Sequence, residues 1–262
     1  MDQSAAEHAA RLLWDNWRSG TRIVSLPEAV QPRDRADGYA VQAAVARLSG
    51  QSVSGWKIAA TSTAGQAHIG VDGPIAGRLL SARVLFSGAQ VPIANNCMKV
   101  AEAEFAFRMK APLPKRERAY RLDEVLDAVE SIHPAIEIPD SRYSEFVKVG
   151  APQLIADNAC ACWFVLGPPA SVSWRDRSLA KHRVKAFRNN SQARDGSGAN
   201  VLDDPALALT WIANELRTFA DGLRGGDIVT TGTCVAPFGI APGDRIRADF
   251  GDLGEVSAEL TA

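Results

Sequence analysis

Hydrophobic positions divide the chain into a helical first part and a longer part made of short strands. Apolar residues recur near every 3.6 positions over residues 5–17 and 34–48, which predicts two amphipathic helices. Between them, Ser25-Leu26-Pro27-Glu28 resembles a helix start, with serine as the cap and proline early. We therefore expect an N-terminal helical lobe over residues 1–52 and a β-rich domain over residues 53–262.

The second part is a series of short apolar runs separated by glycine, proline and aspartate. Two further helices are predicted, over residues 123–131 and 204–223. Because strands and helices do not alternate regularly, we expect an α+β fold rather than a doubly wound parallel sheet. The predicted strands cover residues 54–59, 79–86, 100–109, 135–138, 161–166, 227–231 and 245–250.

The most informative motif is Glu102-Ala103-Glu104, which lies inside one of these predicted strands. Successive side chains of a strand point to opposite faces, so the two glutamates project from the same face. A third acid, Glu137, stands in another apolar run, where an unpaired charge is costly. Three converging carboxylates without a nearby histidine are typical of an oxygen-only site for Mg²⁺ or Mn²⁺. The alternative is an exposed acidic face on an antiparallel strand, and spacing alone leaves both open.

Composition narrows the classes of function. The chain has 262 residues, a hydrophobic fraction of 46% and a net charge of −1. A net charge this close to zero does not indicate binding to nucleic acid or to an anionic membrane surface. No stretch of the sequence reaches the roughly 18 consecutive apolar residues of a membrane span. The start, Met1-Asp2-Gln3, lacks the basic region of a signal peptide, and the four cysteines have no CxxC spacing. We expect a cytoplasmic protein.

Three other places could carry chemistry. Lys57 lies in the strand-like run Gly55–Ala59, where burial would lower its pKa or call for an anion, although an edge-strand lysine facing water is the common alternative. Asp72 lies in a turn, where aspartate most often hydrogen-bonds the backbone. The pair Asp157-Asn158 could orient a ligand or a helix end. Nucleotide-binding glycine motifs, a GxSxG elbow and histidine metal spacing are all absent from the sequence.

Taken together, six segments resemble the fumarylacetoacetate hydrolase superfamily, in its 2-keto-4-pentenoate hydratase / 4-oxalocrotonate decarboxylase branch. No single motif is specific for this family. The order of all six segments, along roughly three quarters of the chain, is specific. The segments are Gly55-Trp56-Lys57-Ile58 with Thr61-Ser62; Gly70-Val71-Asp72-Gly73-Pro74; Ala101-Glu102-Ala103-Glu104; Pro134-Ala135-Ile136-Glu137-Ile138 with Asp140-Ser141-Arg142; Ala156-Asp157-Asn158-Ala159; and Pro242-Gly243-Asp244 with Leu253-Gly254-Glu255-Val256.

The resemblance implies a catalytic domain built around a mixed, highly curved β-core. It implies a Mg²⁺ or Mn²⁺ ion on Glu102, Glu104 and Glu137, which would act as a Lewis acid on a 2-oxo or 2-hydroxydienoic acid. Lys57 matches the family's active-site lysine. Asp72 joins it as a catalytic candidate, and Asp157 and Asn158 are candidates for substrate binding. The partners implied are a small acid substrate and further copies of the chain.

One position departs from the hydratase pattern. Hydratases of this branch usually carry an acid three residues after the aspartate that Asp72 matches, and this chain has Ile75 there. We expect a hydratase-like enzyme of aromatic catabolism, with a 2-oxo-acid decarboxylase as the alternative that Ile75 favours. An acylpyruvate C–C hydrolase and a non-catalytic subunit are the remaining alternatives. If hydration occurs, Asp72 or Asp140 would have to replace the missing acid.

Overall fold

A computed structural model describes all 262 residues and begins with two paired helices. α1 (Gln3–Ser19) and α2 (Arg35–Ser49) follow aspartate caps and end at glycines in the left-handed conformation. The segment between them forms only a 3₁₀ turn, Glu28–Val30, rather than a longer helix. The apolar side chains of both helices share one core with Tyr143 and Ala156, so the lobe packs directly on the β-rich part.

The rest of the chain contains four short or medium helices and fifteen strands. The helices are α3 (Thr63–Ile69), α4 (Leu122–Asp127), α5 (Gly150–Ala156) and α6 (Pro205–Phe219). The strands are β1 (Val53–Ala59), β2 (Ile75–Leu80), β3 (Val84–Phe86), β4 (Ala89–Pro92), β5 (Val100–Met109), β6 (Leu113–Pro114), β7 (Val129–Ile138), β8 (Trp163–Leu166), β9 (Arg183–Arg188), β10 (Ser191–Ser197), β11 (Gly222–Leu223), β12 (Ile228–Thr233), β13 (Phe238–Gly239), β14 (Arg245–Asp249) and β15 (Glu255–Thr261).

The main sheet is mixed and strongly curled. Its strand order is β2-β1-β12-β5-β7-β8-β3, with β13 also paired to β5. The β1–β12 and β3–β8 pairs are parallel and the others antiparallel. The two edge strands, β2 and β3, are joined by the three residues Ser81–Arg83, so the sheet must curl until its edges come near each other. A second sheet, β10-β9-β14-β15-β4, and the small pair β11-β6 complete the fold.

Alternation along β5 separates the core from the chemistry. Phe105 and Phe107 pack edge-to-face against Phe250 and Trp174 in the main hydrophobic core. Glu102 and Glu104 occupy the alternate positions of β5 and point to the opposite side of the sheet, as the period of two requires. None of the helices combines the length and apolar composition needed to cross a membrane.

The predicted α+β fold with N-terminal helices is confirmed, and most predicted elements are present. One predicted element is wrong: the helix over 123–131 ends at Asp127, and Val129 already begins β7. Nine of the ten residues of β7 pair with neighbours in the sheet, and this tertiary pairing overrides the local helical pattern. The single strand predicted over 79–86 is interrupted by a 3₁₀ turn, because the sheet edge turns there from β2 to β3.

Candidate metal centre

Three glutamates meet on one face of the main sheet. Glu102 of β5 lies directly opposite Glu137 of β7 in the antiparallel ladder, and Glu104 follows two residues later on the same face. One carboxylate oxygen from each lies within 4.8 Å of the other two. Glu104 and Glu137 are buried, and Glu102 is partly exposed. The predicted convergence of these three acids is therefore confirmed.

The electrostatics of this triad are unfavourable without a cation. Burial, reinforced by the charge of Glu137, raises the pKa of Glu102 to about 7. Burial and the neighbouring carboxylates also raise the pKa of Glu104 well above its ordinary value, and burial raises that of Glu137. Glu104 Oε1 and Glu137 Oε2 are buried without a hydrogen-bond partner. Unfilled anionic oxygens at this spacing fit a hard divalent ion such as Mg²⁺ or Mn²⁺.

A bulge in β12 fixes one of the carboxylates. Glu104 Oε2 accepts hydrogen bonds from the Gly232 N–H at 2.8 Å and from the Thr230 hydroxyl. The β12–β5 register shifts between Thr230 and Thr233, and Gly232 has φ of 100°. A Cβ at this position would lie 2.1 Å from the Thr61 hydroxyl, so only glycine fits. These partners hold one oxygen of Glu104 and leave the other free.

Lys57 lies beside the triad and is buried. Its strand, β1, runs between β2 and β12, so the alternative of an edge-strand lysine facing water is wrong. The Lys57 ammonium donates to the Ala159 carbonyl at 2.9 Å and lies 3.0 Å from Glu137 Oε1. Burial lowers the pKa of Lys57, but the charges of the three glutamates outweigh it and raise the pKa above its ordinary value. Lys57 is therefore a fixed cation.

A cavity of about 700 Å³ opens onto this cluster. Lys57 and Glu102 are on its wall, together with residues of α3 and of the loop after β12. Of its 24 lining residues 13 are hydrophobic, so one small region of strong charge faces a mainly apolar space. The remaining titratable side chains on the wall are His68 and Cys160, and burial raises the pKa of the Cys160 thiol to about 12. The cavity suits a small acid with an apolar tail.

The other candidate residues lie elsewhere. Asp72 is exposed and absent from the cavity wall. Asp157 is buried, and its carboxylate accepts hydrogen bonds from Arg142 and from the Ser141 hydroxyl. The Asn158 amide binds the backbone N–H and carbonyl of Arg78, both at 2.7 Å. The polar side-chain atoms of Asp157 and Asn158 thus have partners inside the protein, and neither residue is on the cavity wall.

Asp140 is also committed to structure. Its carboxylate forms an ion pair with Arg22 and accepts the Cys97 N–H at 2.9 Å. Ile75, in contrast, is fully buried and on the cavity wall. Ile75 stands where hydratases usually carry an acidic residue. In this geometry neither Asp72 nor Asp140 reaches the cavity to replace that acid.

Sequence reasoning missed three parts of the site: Thr230, Gly232 and the Ala159 carbonyl. The first two had a readable signal, since Thr230-Thr231-Gly232-Thr233 interrupts an apolar strand with hydroxyls and a glycine. A backbone carbonyl has no side-chain signature, so the third had none.

The geometry agrees with the comparison to known families. The model for the fumarylacetoacetate (FAA) hydrolase C-terminal domain matches residues 75–261. The chain belongs to the fumarylacetoacetate hydrolase family. This match covers Glu102, Glu104 and Glu137, while Lys57 and the N-terminal helices lie before it.

Individual members of the fumarylacetoacetate hydrolase family match over more of the chain. The 2-keto-4-pentenoate hydratase of Paraburkholderia xenovorans (strain LB400) is 29% identical over 99% of this chain and 96% of its own length. The 4-oxalocrotonate decarboxylase of Pseudomonas sp. (strain CF600) is 34% identical over 86% of this chain and 85% of its own. The structure of 4-oxalocrotonate decarboxylase from Pseudomonas putida G7, complexed with magnesium and adipate, gives a TM-score of 0.88 at 28% identity and covers 99% of this chain and 98% of that one.

Proposed function

We propose that this protein is a Mg²⁺- or Mn²⁺-dependent lyase for small 2-oxo or 2-hydroxydienoic acids, with hydratase activity of the 2-keto-4-pentenoate type. The observation that carries this proposal is the convergence of three glutamates with unfilled oxygens and one buried lysine at a mainly apolar cavity. The similar hydratases and decarboxylases, and the magnesium complex of one of them, support the same assignment.

Each residue has a proposed role. Glu102, Glu104 and Glu137 would hold the divalent ion, which when bound supplies Lewis acidity toward a substrate carboxylate and 2-oxygen. Lys57, which lies 3.0 Å from Glu137, would bind the substrate carboxylate or deliver a proton to the dienol. The mainly apolar wall lowers the local dielectric constant, which strengthens these electrostatic interactions. All four residues lie within 53–262, so we assign catalysis to this part and a supporting role to residues 1–52.

The charge of the cavity favours a hydratase substrate. A 2-hydroxydienoate of the 2-keto-4-pentenoate kind has one carboxylate and a short apolar tail, whereas 4-oxalocrotonate has a carboxylate at each end. Apart from Lys57, the wall has no lysine or arginine, and His68 is its only imidazole. A second buried carboxylate without a cation would be costly. Within this proposal, His68 and Lys57 are the wall residues that remain for proton transfer.

Decarboxylation is the second candidate, and Ile75 is the observation that favours it. An apolar side chain on the wall cannot activate water, and loss of CO₂ needs only an electron sink at the keto group. An acylpyruvate C–C hydrolase has less support, since His68 makes no hydrogen bond to a carboxylate and its ring lies edge-on to Phe146 instead.

A substrate panel tests these candidates. We expect purified protein with Mg²⁺ to add water to 2-hydroxypenta-2,4-dienoate, followed by loss of the dienoate absorbance and by product analysis. Release of CO₂ from 4-oxalocrotonate without any hydration would replace the first candidate by the second. Lack of turnover of every 2-oxo and 2-hydroxydienoic acid, with both Mg²⁺ and Mn²⁺, would contradict both.

We further propose a cytoplasmic homo-oligomer. The four cysteines are unpaired, which is compatible with a reducing compartment. Val24 and Phe86 leave 70% and 68% of their surface exposed, which large apolar side chains do at interfaces between copies. Light scattering coupled to size exclusion measures the mass directly, and a monomer at micromolar concentration would contradict the oligomer.

A further inference from the structure

The turn from Asn158 to Cys160 has an unusual backbone. Asn158, Ala159 and Cys160 have φ values of 56°, 49° and 60°, so three consecutive residues with a Cβ lie in the left-handed region. This conformation is unfavourable for L-residues other than glycine and persists only where the surroundings impose it. All three residues are buried, so the turn is part of the packed interior rather than a surface loop.

Arg142 holds both ends of this turn. Its guanidinium donates to the Asp157 carbonyl on one side and to the Ala161 carbonyl, at 3.0 Å, on the other. The same guanidinium forms an ion pair with the Asp157 carboxylate. Its planar fork therefore fixes where the chain enters and leaves the turn. The Trp17 ring of α1 covers the guanidinium at 4.1 Å.

Asn158 fixes the turn against β2. Its side-chain amide accepts from the Arg78 N–H and donates to the Arg78 carbonyl, as a neighbouring strand would. Next to it, Gly77 lets the two backbones approach, since a Cβ on Gly77 would lie 2.1 Å from the Asn158 carbonyl oxygen. Gly77 is also the ladder partner of Lys57 in β1. The turn therefore packs against β2 beside the residue that pairs with Lys57.

The central carbonyl of the turn points at Lys57. Lys57 Nζ donates to the Ala159 oxygen at 2.9 Å and lies 3.0 Å from Glu137 Oε1. The hydrogen bond to Ala159 and the ion pair with Glu137 together fix the direction of the side chain. No other hydrogen bond holds the Lys57 side chain.

We propose that the left-handed turn is a positioning device for Lys57, with Asn158 and Asp157 as positioning residues rather than substrate ligands. The three left-handed residues present the Ala159 carbonyl at the place where the ammonium needs an acceptor. This inference rests on the proposed catalytic role of Lys57. The position of the Lys57 ammonium would then depend on side chains that never contact the substrate.

A double-mutant cycle between Asn158→Ala and Lys57→Met tests the proposal. With 2-hydroxypenta-2,4-dienoate and Mg²⁺, we expect Asn158→Ala to lower kcat roughly tenfold or more, because the Ala159 carbonyl is no longer fixed. In the Lys57→Met background the same change should have no further effect. Stabilisation of the protein by Mg²⁺ alone should stay at the wild-type level in Asn158→Ala, since the glutamates are untouched.

A further variant separates position from folding. Asn158→Asp keeps an acceptor for the Arg78 N–H but replaces the donor to the Arg78 carbonyl by a carboxylate oxygen, which repels that carbonyl. It should reproduce the fall in kcat even if Asn158→Ala does not fold.

A binding measurement supplies a readout apart from turnover. The thermal shift given by 2-oxopentanoate in the presence of Mg²⁺ should fall in Asn158→Asp and in Lys57→Met, and no further in the double variant. Wild-type kcat in both Asn158 variants, or equal effects with and without Lys57, would overturn the positioning role. Wild-type kcat in Lys57→Met would instead contradict the proposed function of the lysine.

Discussion

Two regions of the molecule bury acids, and they treat them in opposite ways. At the sheet face, Glu104 and Glu137 each keep a buried oxygen without a hydrogen-bond partner. About twenty residues further along the chain, both oxygens of the Asp157 carboxylate accept hydrogen bonds from Arg142 or Ser141. Unfilled bonding capacity indicates a place for a ligand, and filled capacity indicates a structural role.

The cations of the two regions differ in the same way. Arg142 is saturated by Asp157 and by backbone carbonyls. Lys57 faces three carboxylates with one positive charge, and only Glu137 lies within ion-pair distance. The charges around Asp157 are therefore balanced, while three ionised glutamates around Lys57 would carry an excess negative charge that a divalent ion neutralises.

The largest expected effect is loss of all catalysed turnover in Glu104→Gln. Glutamine can still accept from the Gly232 N–H, but it offers a neutral ligand in place of a carboxylate. We expect dienoate turnover at the uncatalysed level and no thermal stabilisation by Mg²⁺. The fold should persist, because a neutral amide of the same shape replaces a buried carboxyl group whose charged form is unfavourable there. Metal-dependent turnover near the wild-type rate would contradict the triad as the metal site.

Next in size is the effect of Lys57→Met, which keeps the length and apolar packing of the side chain. General acid–base groups contribute roughly 10²–10⁴-fold, so kcat/KM should fall within that range. Steady-state kinetics measure this, with Lys148→Met as the matched control. Lys148 is exposed and pairs only with Glu145 on the surface, so its loss should leave the kinetics unchanged. A fall of less than about threefold in Lys57→Met would exclude a catalytic lysine.

The contrast between the two regions also explains what the sequence could predict. The same-face relation of Glu102 and Glu104 follows from the period of a strand, and an acid in an apolar run identified Glu137. The α+β class followed from the irregular order of strands and helices. These inferences need only local geometry, which the sequence carries directly.

The sequence could not predict which side chains and strands, distant along the chain, contact each other in the fold. For Asp157-Asn158 a ligand role and a structural role both stayed open, because the arginine that binds the Asp157 carboxylate lies 15 residues earlier in the chain. Nothing local distinguishes a carboxylate that meets a buried guanidinium from one that faces a cavity. The start of β7 was missed for a related reason, since pairing with β5 decides its structure.

Breaking the saturated region should lower the stability of the fold without removing the metal site. Asp157→Asn leaves the buried Arg142 guanidinium without its counter-charge, and such losses cost about 3–5 kcal/mol. Urea unfolding should show this decrease, while Mg²⁺ still stabilises the folded fraction. Glu145→Gln is the matched control, because its exposed pair with Lys148 contributes about 1 kcal/mol at most. A cost below about 1 kcal/mol for Asp157→Asn would remove the contrast between the two regions.

A smaller effect concerns pH and the triad. The raised pKa values of Glu102, Glu104 and Glu137 mean that these groups stabilise the metal-free fold at low pH. That contribution is lost as pH rises through the folded pKa, which is about 7 for Glu102. Mg²⁺ must displace those protons, so its thermal stabilisation should be larger at pH 8 than at pH 6. Glu102→Gln should reduce this dependence, and a Mg²⁺ shift independent of pH would contradict the protonated triad.

The smallest expected effect is that of Asp72→Asn, and it tests whether the comparison extends to exposed acids. Asp72 is exposed and lies off the cavity wall, so it meets neither the substrate nor a saturating cation. Changes at such surface positions usually stay within about 0.5 kcal/mol of the original stability. We therefore expect kcat/KM and the urea midpoint of Asp72→Asn to match the wild type, in the same assays that detect Lys57→Met. A fall of tenfold or more in hydration would show that Asp72 reaches the substrate during turnover. The segment between α3 and β2 would then have to move during turnover, and Asp72 would replace the acid that hydratases carry at the position of Ile75.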